Sequence, residues 1–207
     1  MEGKGPLGVG RYSAYVFDLD GTLFALPINW QGVRADLGRL TGEPAEEKPI
    51  FETISTIVRA RPDMLGQVFS LIESYELKAV DGSKPIAGAL ELLDFLSNCS
   101  RLALVTLQGK KAAHRILTDN GVFGLFETVV TREDSLDRAE QLLLTVKRLK
   151  VARQDLLFVG DRLNDVASAR RARVDVALVG KTAPDSLKPS YCFSSMVAFG
   201  NAFARRP

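Results

Sequence analysis

Two aspartates one residue apart, Asp18 and Asp20, follow the apolar run Ala14 to Phe17 and lead at once into Gly21-Thr22. In an extended segment, residues two apart point to the same side. Both carboxylates can therefore face one pocket where a strand gives way to a loop. Like charges that close repel, and one would have its pKa raised unless something neutralises the pair. A divalent cation with oxygen ligands would do so. Equally, one carboxylate can act as nucleophile and the other as acid or base. The same residue types also suit a solvated turn, and this segment alone leaves both readings open.

A second acidic cluster has a similar setting. Leu156-Leu157-Phe158-Val159 reads as a buried strand ending at Gly160, and Asp161-Arg162-Leu163-Asn164-Asp165 follows before a helix begins. Asp161 and Asp165 offer hard oxygen ligands at a strand exit, which suits magnesium. Capping of the helix start is the competing explanation. A third strand exit lies between them. Arg101 to Val105 ends at Thr106-Leu107-Gln108-Gly109, ahead of a helix over 110–119. The Thr106 hydroxyl can donate to a phosphate oxygen, and free N–H groups at the helix start would add to it. Thr106 is also an ordinary strand residue.

These three pieces, in this order, resemble the haloacid dehalogenase superfamily of phosphohydrolases. Asp18-Leu19-Asp20-Gly21-Thr22 is similar to its first motif, Val105-Thr106 to its second, and Gly160 to Asp165 to its fourth. The resemblance covers roughly residues 12 to 190. It implies that Asp18 is the nucleophile, forming an aspartyl-phosphate, and that Asp20 is the general acid/base. It implies that Thr106, with Leu107 beside it, binds the transferring phosphoryl group. It further implies that Asp161 and Asp165 hold Mg2+ together with Asp18 and the backbone carbonyl of Asp20. An acid two residues after the nucleophile fits the phosphatase branch, because an alkoxide leaving group needs a proton.

The third motif departs from the pattern. The family places a Lys at or before the helix preceding the fourth motif, and Thr131 to Glu140 contains none. Arg138 is the substitute expected to serve as catalytic and phosphate-binding cation. Lys147 lies nine residues along the same helix, about 13–14 Å away at the standard rise. Arg132 is a weaker alternative. A solvated ion pair of Arg138 with Asp134 or Glu140 is the competing reading. Arginine stays charged and grips two oxygens in a fixed fork, so it does not copy Lys.

The elements that must position these residues alternate. Strands are expected at 13–18, 101–106, 127–130, 155–160 and 174–179, with a weaker one near 191–193. Helices are expected at 86–97, 110–119, 137–149 and 163–172. Such alternation predicts an α/β fold, a Rossmann-like parallel sheet with helices on both faces and sites at the carboxyl ends of its strands. Residues 24–84 break the pattern. Trp30, Val33, Leu37 and Leu40 follow a helical spacing, and Ile50 to Arg59 and Met64 to Leu77 read as two further helices around Pro62. The expected division is an α/β core of 1–23 and 85–207 with a small all-helical cap of 24–84. The insert's position resembles the cap of phosphoglycolate phosphatases and β-phosphoglucomutases. Pro85 is expected in the first turn of the helix returning to the core.

A cap of that size can close over a small ligand and exclude water, which leaves little access for a macromolecule. Within it Arg34, Arg59 and Arg61 could hold a carboxylate or second phosphate, or be solvated. Trp30 could line the lid or fill the cap's own core. His114, the only histidine, is expected to have no catalytic role. No cap lysine is identified for a Schiff base.

The chain of 207 residues carries a net charge of +2, with 25% charged and 46% hydrophobic residues, ordinary for a globular protein. That charge argues for neither nucleic acid nor membrane. Arg170-Arg171-Ala172-Arg173 reads as a solvated helix end. Cys99 and Cys192 are too few for a disulfide scaffold or a zinc site. No apolar run approaches the roughly 20 residues of a membrane span. Met1 to Pro6 has no signal-peptide core, and a reducing cytoplasm is the expectation. The function expected is a magnesium-dependent phosphatase acting on a small phosphorylated metabolite. The alternatives are a phosphomutase of the same superfamily and a weakly active or non-catalytic binding member.

Overall fold

The computed structural model describes residues 8, 10–42 and 49–204. The leader segment weighed above and part of the insert fall outside them. In chain order the elements are β1 (Ala14–Phe17), β2 (Phe24–Ala25), α1 (Trp30–Thr41), α2 (Ile50–Ala60), α3 (Leu65–Val80), β3 (Lys84–Pro85), α4 (Ala89–Ser97), β4 (Arg101–Val105), α5 (Lys110–Asp119), β5 (Thr128–Val130), α6 (Arg138–Leu149), β6 (Leu156–Gly160), α7 (Leu163–Ala172), β7 (Asp175–Val179), β8 (Tyr191–Phe193) and α8 (Met196–Ala204). Six strands form one sheet in the order β5-β4-β1-β6-β7-β8, and every pair in it is parallel. The fold is the Rossmann-like α/β architecture expected.

The apolar runs are continuous because the sheet is covered on both faces. Alternate residues part to opposite sides. Tyr15, Phe17, Leu102, Leu104, Leu157 and Val159 pack with α4, α5 and α8. Ala14, Val16, Ala103, Val105, Leu156 and Phe158 pack with α6 and α7. Strand β1 lies between β4 and β6, so the chain leaves it to one side first and returns on the other. That topological switch opens a crevice beyond the carboxyl ends of the central strands.

The insert has a core of its own. Val33 and Leu37 from α1, Ile54 and Ile57 from α2, and Val68 and Ile72 from α3 pack together. Asn29 caps α1 by accepting the Gly32 N–H at 2.9 Å, and Pro62 opens a short 3-10 turn between α2 and α3.

Three features differ from the sequence reading. The expected helix at 86–97 begins only at Ala89, and Pro85 is not in its first turn. Pro85 instead pairs with Phe24 in a two-stranded ribbon, and the Ile86 N–H donates to the Leu23 carbonyl at 2.8 Å. The chain is thus still held extended where the helix was expected. The ribbon itself and α8 carry too little periodicity to be read. Helix α8 is specified by Phe199 and Phe203, one turn apart and buried against the sheet.

Candidate active site

Asp18, Thr106 and Asp161 are each the first residue beyond a central strand. Pairing continues one step past the strands and fixes two of them. The Asp18 N–H donates to the Val159 carbonyl at 3.0 Å, and the Thr106 N–H to the Val130 carbonyl at 2.9 Å. The parallel register sets Phe17 beside both Leu104 and Val159, which brings the three exits level. Helix α7 then returns Asp165 from its first turn, where its Oδ2 accepts the Arg162 N–H at 3.0 Å. As a result, carboxylate oxygens of Asp18, Asp161 and Asp165 lie within 4.8 Å of one another.

Arg138 is the first residue of α6, after the Asp137 N-cap. Its Nη2 donates to Asp18 Oδ1 at 2.7 Å, and its Nε lies 3.5 Å from Asp165 Oδ1. The guanidinium also lies over the Phe158 ring, 5.8 Å from its centroid. Its Nη1 donates to Gln141 Oε1 at 3.2 Å, while Gln141 Nε2 donates to the carbonyls of Thr106 and Ser135 at 2.8 and 2.9 Å. One buried amide thus links α6, the Thr106 exit and the cation on Asp18. Gln141 escaped the sequence reading. Its one signal is its place one turn beyond Arg138, on the same helix face.

The competitors of Arg138 lie elsewhere. Lys147 is exposed on α6. Asp134 pairs with Arg148 and Glu140 accepts from Ser135. Arg132 is fully buried against Glu76 of α3. The arginines of the basic cluster are exposed, as expected, with Arg171 Nη2 2.6 Å from Asp137 Oδ2 at the surface.

The Thr106 hydroxyl accepts the Gln108 N–H at 3.1 Å, which leaves its own proton free for an anion. The start of α5 is different from expectation. The Gly109 N–H donates to Glu76 Oε2 and the Lys110 N–H to Glu133 Oε2, both at 3.1 Å. Two protein carboxylates already satisfy those donors, so they are not free for phosphate. His114 packs against Phe123, tilted, with ring centroids 4.3 Å apart and away from the site.

The electrostatics follow from burial. Desolvation raises the Asp18 pKa, Arg138 opposes it and Asp161 adds to it. Desolvation, reinforced by Asp18, raises Asp165 to about 7. Asp20 is raised to about 6, again mainly by desolvation, against the Leu26 N–H and Arg162. Arg162 Nη2 lies 3.4 Å from Asp20 Oδ2, and Lys181 Nζ 3.2 Å from Asp161 Oδ2. Neither cation was singled out in the sequence, and Lys181 arrives from the loop after β7, twenty residues beyond its partner.

The donor set fits a hard divalent cation. It is all carboxylate, and Asp161 Oδ1 is buried with no hydrogen-bond partner. Gly21 borders the cluster at φ +84°, where an added Cβ would fall 2.7 Å from Asp161 Oδ2. The first loop therefore passes too close for any side chain there.

A cavity of about 870 Å³ opens at the site, with Asp161 outside its lining. Asp18, Asp20, Thr106, Leu107, Arg138 and Asp165 belong to its wall on the sheet side. Trp30, Arg34, Phe51 and Arg59 belong to the wall supplied by the insert. Arg61 is exposed elsewhere.

No curated protein is significantly similar to the chain. Solved structures share its fold. A predicted phosphatase from Clostridium acetobutylicum has a TM-score of 0.70 at 17% identity, covering 93% of this chain and 98% of that one. A predicted phosphoglycolate phosphatase from Haemophilus somnus has a TM-score of 0.68 at 19% identity, covering 93% and 98%. The HAD-hydrolase candidate YfnB from Bacillus subtilis, in a magnesium-bound form, has a TM-score of 0.61 at 19% identity, covering 92% and 98%. A family model described as haloacid dehalogenase-like hydrolase matches residues 37–179. The match begins beyond Asp18 and Asp20 and includes Thr106, Arg138, Asp161 and Asp165. With well over half of its length so matched, the chain belongs to the haloacid dehalogenase-like hydrolase family.

Proposed function

We propose that this hydrolase is a magnesium-dependent phosphatase of a small phosphorylated metabolite, acting through an aspartyl-phosphate on Asp18. The observation that carries the reading is the convergence of Asp18, Asp161 and Asp165 within 4.8 Å, with Arg138 2.7 Å from Asp18. That fold neighbours include proteins named as phosphatases, and one bound to magnesium, supports it.

In the proposed reaction Asp18 attacks phosphorus in line while the ester oxygen leaves. The Thr106 hydroxyl and the Arg138 fork hold the phosphoryl oxygens as charge gathers on them. Asp20, with its pKa near 6, retains part of its protonated form near neutrality. It can give that proton to the leaving oxygen, then take one from the water that hydrolyses the acyl-phosphate. Asp18, Asp161, Asp165 and the Asp20 carbonyl would hold the magnesium. When bound, the ion supplies charge neutralisation between the carboxylate nucleophile and the phosphate anion. Arg138 lying 2.7 Å from Asp18 supports the catalytic reading over the binding-only one.

In this reading residues 24–84 act as a cap over a core of 1–23 and 85–207. The separate core of the insert and its share of the cavity wall support that division. The test is steady-state hydrolysis of a chromogenic aryl phosphate, followed by a panel of phosphorylated metabolites. Phosphate release that requires magnesium and stops with EDTA is the expected result. No release from any ester in the presence of magnesium would overturn the proposal.

A further inference from the structure

The boundary between insert and core contains a fully buried ion pair that the reaction does not use. Glu76 Oε1 of α3 accepts from Arg132 Nη1, and both side chains are completely buried. The other Glu76 oxygen accepts the Gly109 N–H at 3.1 Å. Arg132 also donates to the carbonyls of Leu107 and Phe69, each at 3.5 Å, and lies 5.2 Å from the centroid of the Phe69 ring. The two residues thus grip the loop 107–109 from both sides, and that loop follows directly on Thr106.

A buried ion pair is a poor way to gain stability, because desolvation of both charges offsets their attraction. What it supplies is registry, since neither partner tolerates loss of the other. The local geometry is correspondingly tight. A Cβ on Gly109 would fall 2.5 Å from Arg132 Nη2 and 3.1 Å from Glu76 Oε2. Arg132 Nε is buried without a hydrogen-bond partner, so the guanidinium forgoes a bond to hold this position. Outside the pair, Lys111 of α5 meets Glu73 at 2.9 Å, and Arg115 meets Asp81 at 2.5 Å. Both are exposed and contribute little by themselves, but they place α3 along α5 in one orientation.

We infer that Glu76 and Arg132 are positioning residues through which docking of the helical insert sets the loop that presents Thr106. Helix α3 supplies the carboxylate that satisfies the Gly109 N–H, and Arg132 ties the Leu107 carbonyl to that carboxylate. When α3 is seated, the 107–109 backbone is held and Thr106 is presented toward Asp18. When α3 lifts, Gly109 loses its acceptor and Arg132 its counter-charge, and the loop is released. Closure over a substrate and completion of the phosphoryl site are then one event. The inference rests on the phosphatase reading for its catalytic consequence, but the coupling itself does not.

The test compares the wild-type full chain with the double variant Glu76→Leu/Arg132→Met. The double change removes both charges and keeps apolar bulk, so no buried charge is stranded. The first readout is hydrogen exchange of the 106–110 backbone, which needs no activity. Exchange there should rise about tenfold or more in the variant, while amides in the middle of α3 and β4 keep their protection. The second is hydrolysis of the aryl phosphate and its inhibition by inorganic phosphate. kcat should fall at least about tenfold and phosphate should inhibit more weakly. Unchanged exchange at 106–110 overturns the inference. So does a variant that melts earlier but retains wild-type kcat and phosphate inhibition, since the pair would then be structural only. If the wild type hydrolyses no phosphate ester, the phosphatase reading fails and the exchange result still decides the coupling.

Discussion

At the residue scale one cation, Arg138, faces both Asp18 and Asp165. Arg138 addresses Asp18 and Asp165 with different nitrogens of one fork and spends a third on Gln141. A lysine could reach one carboxylate but could not span all three partners. Arg138→Ala should therefore lower kcat by about 10²-fold, the scale of removing one electrostatic donor at a developing charge. Arg138→Lys should recover part of that loss. Full activity of the alanine variant would remove Arg138 from the mechanism. Asp18→Asn is nearly isosteric and not nucleophilic, so turnover should vanish while the circular dichroism spectrum and melting remain close to wild type. Activity above about a tenth of wild type would be incompatible with covalent catalysis at Asp18.

At the element scale the insert and the sheet pack around different cores. Ile54 of α2 is completely buried among Val33, Leu37, Val68 and Ile72. Ile54→Ala should cost about 2–5 kcal/mol, from lost transfer energy and the cavity left behind. Because that loss lies in the insert, hydrogen exchange should increase first in α1 and α2, with β1, β4 and β6 still protected. Uniform loss of protection across both regions would show that insert and sheet unfold as one unit. The contrast with Glu76 is informative, since Ile54 faces the insert's interior while Glu76 faces Gly109 and Arg132.

At the scale of the whole molecule the acidic cluster couples stability to pH and, under the proposed function, to a bound metal. Asp20 near 6 and Asp165 near 7 lie above the carboxylate value of 3.8. The native state therefore binds protons more tightly than the unfolded chain. Their contribution is complete at low pH and is lost as pH rises from about 4 through about 7. A bound divalent cation favours the ionised carboxylates and opposes that loss. In EDTA the melting temperature should fall between about pH 5 and pH 8. Magnesium at about 100 times its dissociation constant should stabilise the protein by about 2.7 kcal/mol, or several degrees for a chain of this size. At one fixed magnesium concentration the rise should be larger at the higher pH, because protons compete for these carboxylates at the lower. An equal rise at both would place the ion away from these acids. No helix among the described residues is long and apolar enough to cross a membrane.

The sequence by itself determined the features that depend on local chemistry. Apolar runs of four or five residues marked β1, β4 and β6, because strands buried on both faces need no alternation. Helices α5 and α7 could be delimited from their periodicity, and three strand exits stood out by carrying Asp18, Thr106 and Asp161. The family resemblance asked for a cation near the start of α6 and favoured Arg138, with Arg132 kept as a weaker alternative. What the tertiary structure alone decided is everything that depends on residues far apart in the chain. The strand order sets β1 between β4 and β6, and only that order brings Asp18 together with Asp165 and Arg138. Gln141, Lys181 and Glu76 acquire partners that no local pattern announces, since each contact spans from 20 to 56 residues. The donors at the start of α5 read as free for phosphate because capping by a carboxylate from another element has no signature in a single stretch of chain. Local propensity selects elements, whereas long-range packing selects which polar groups are left to act.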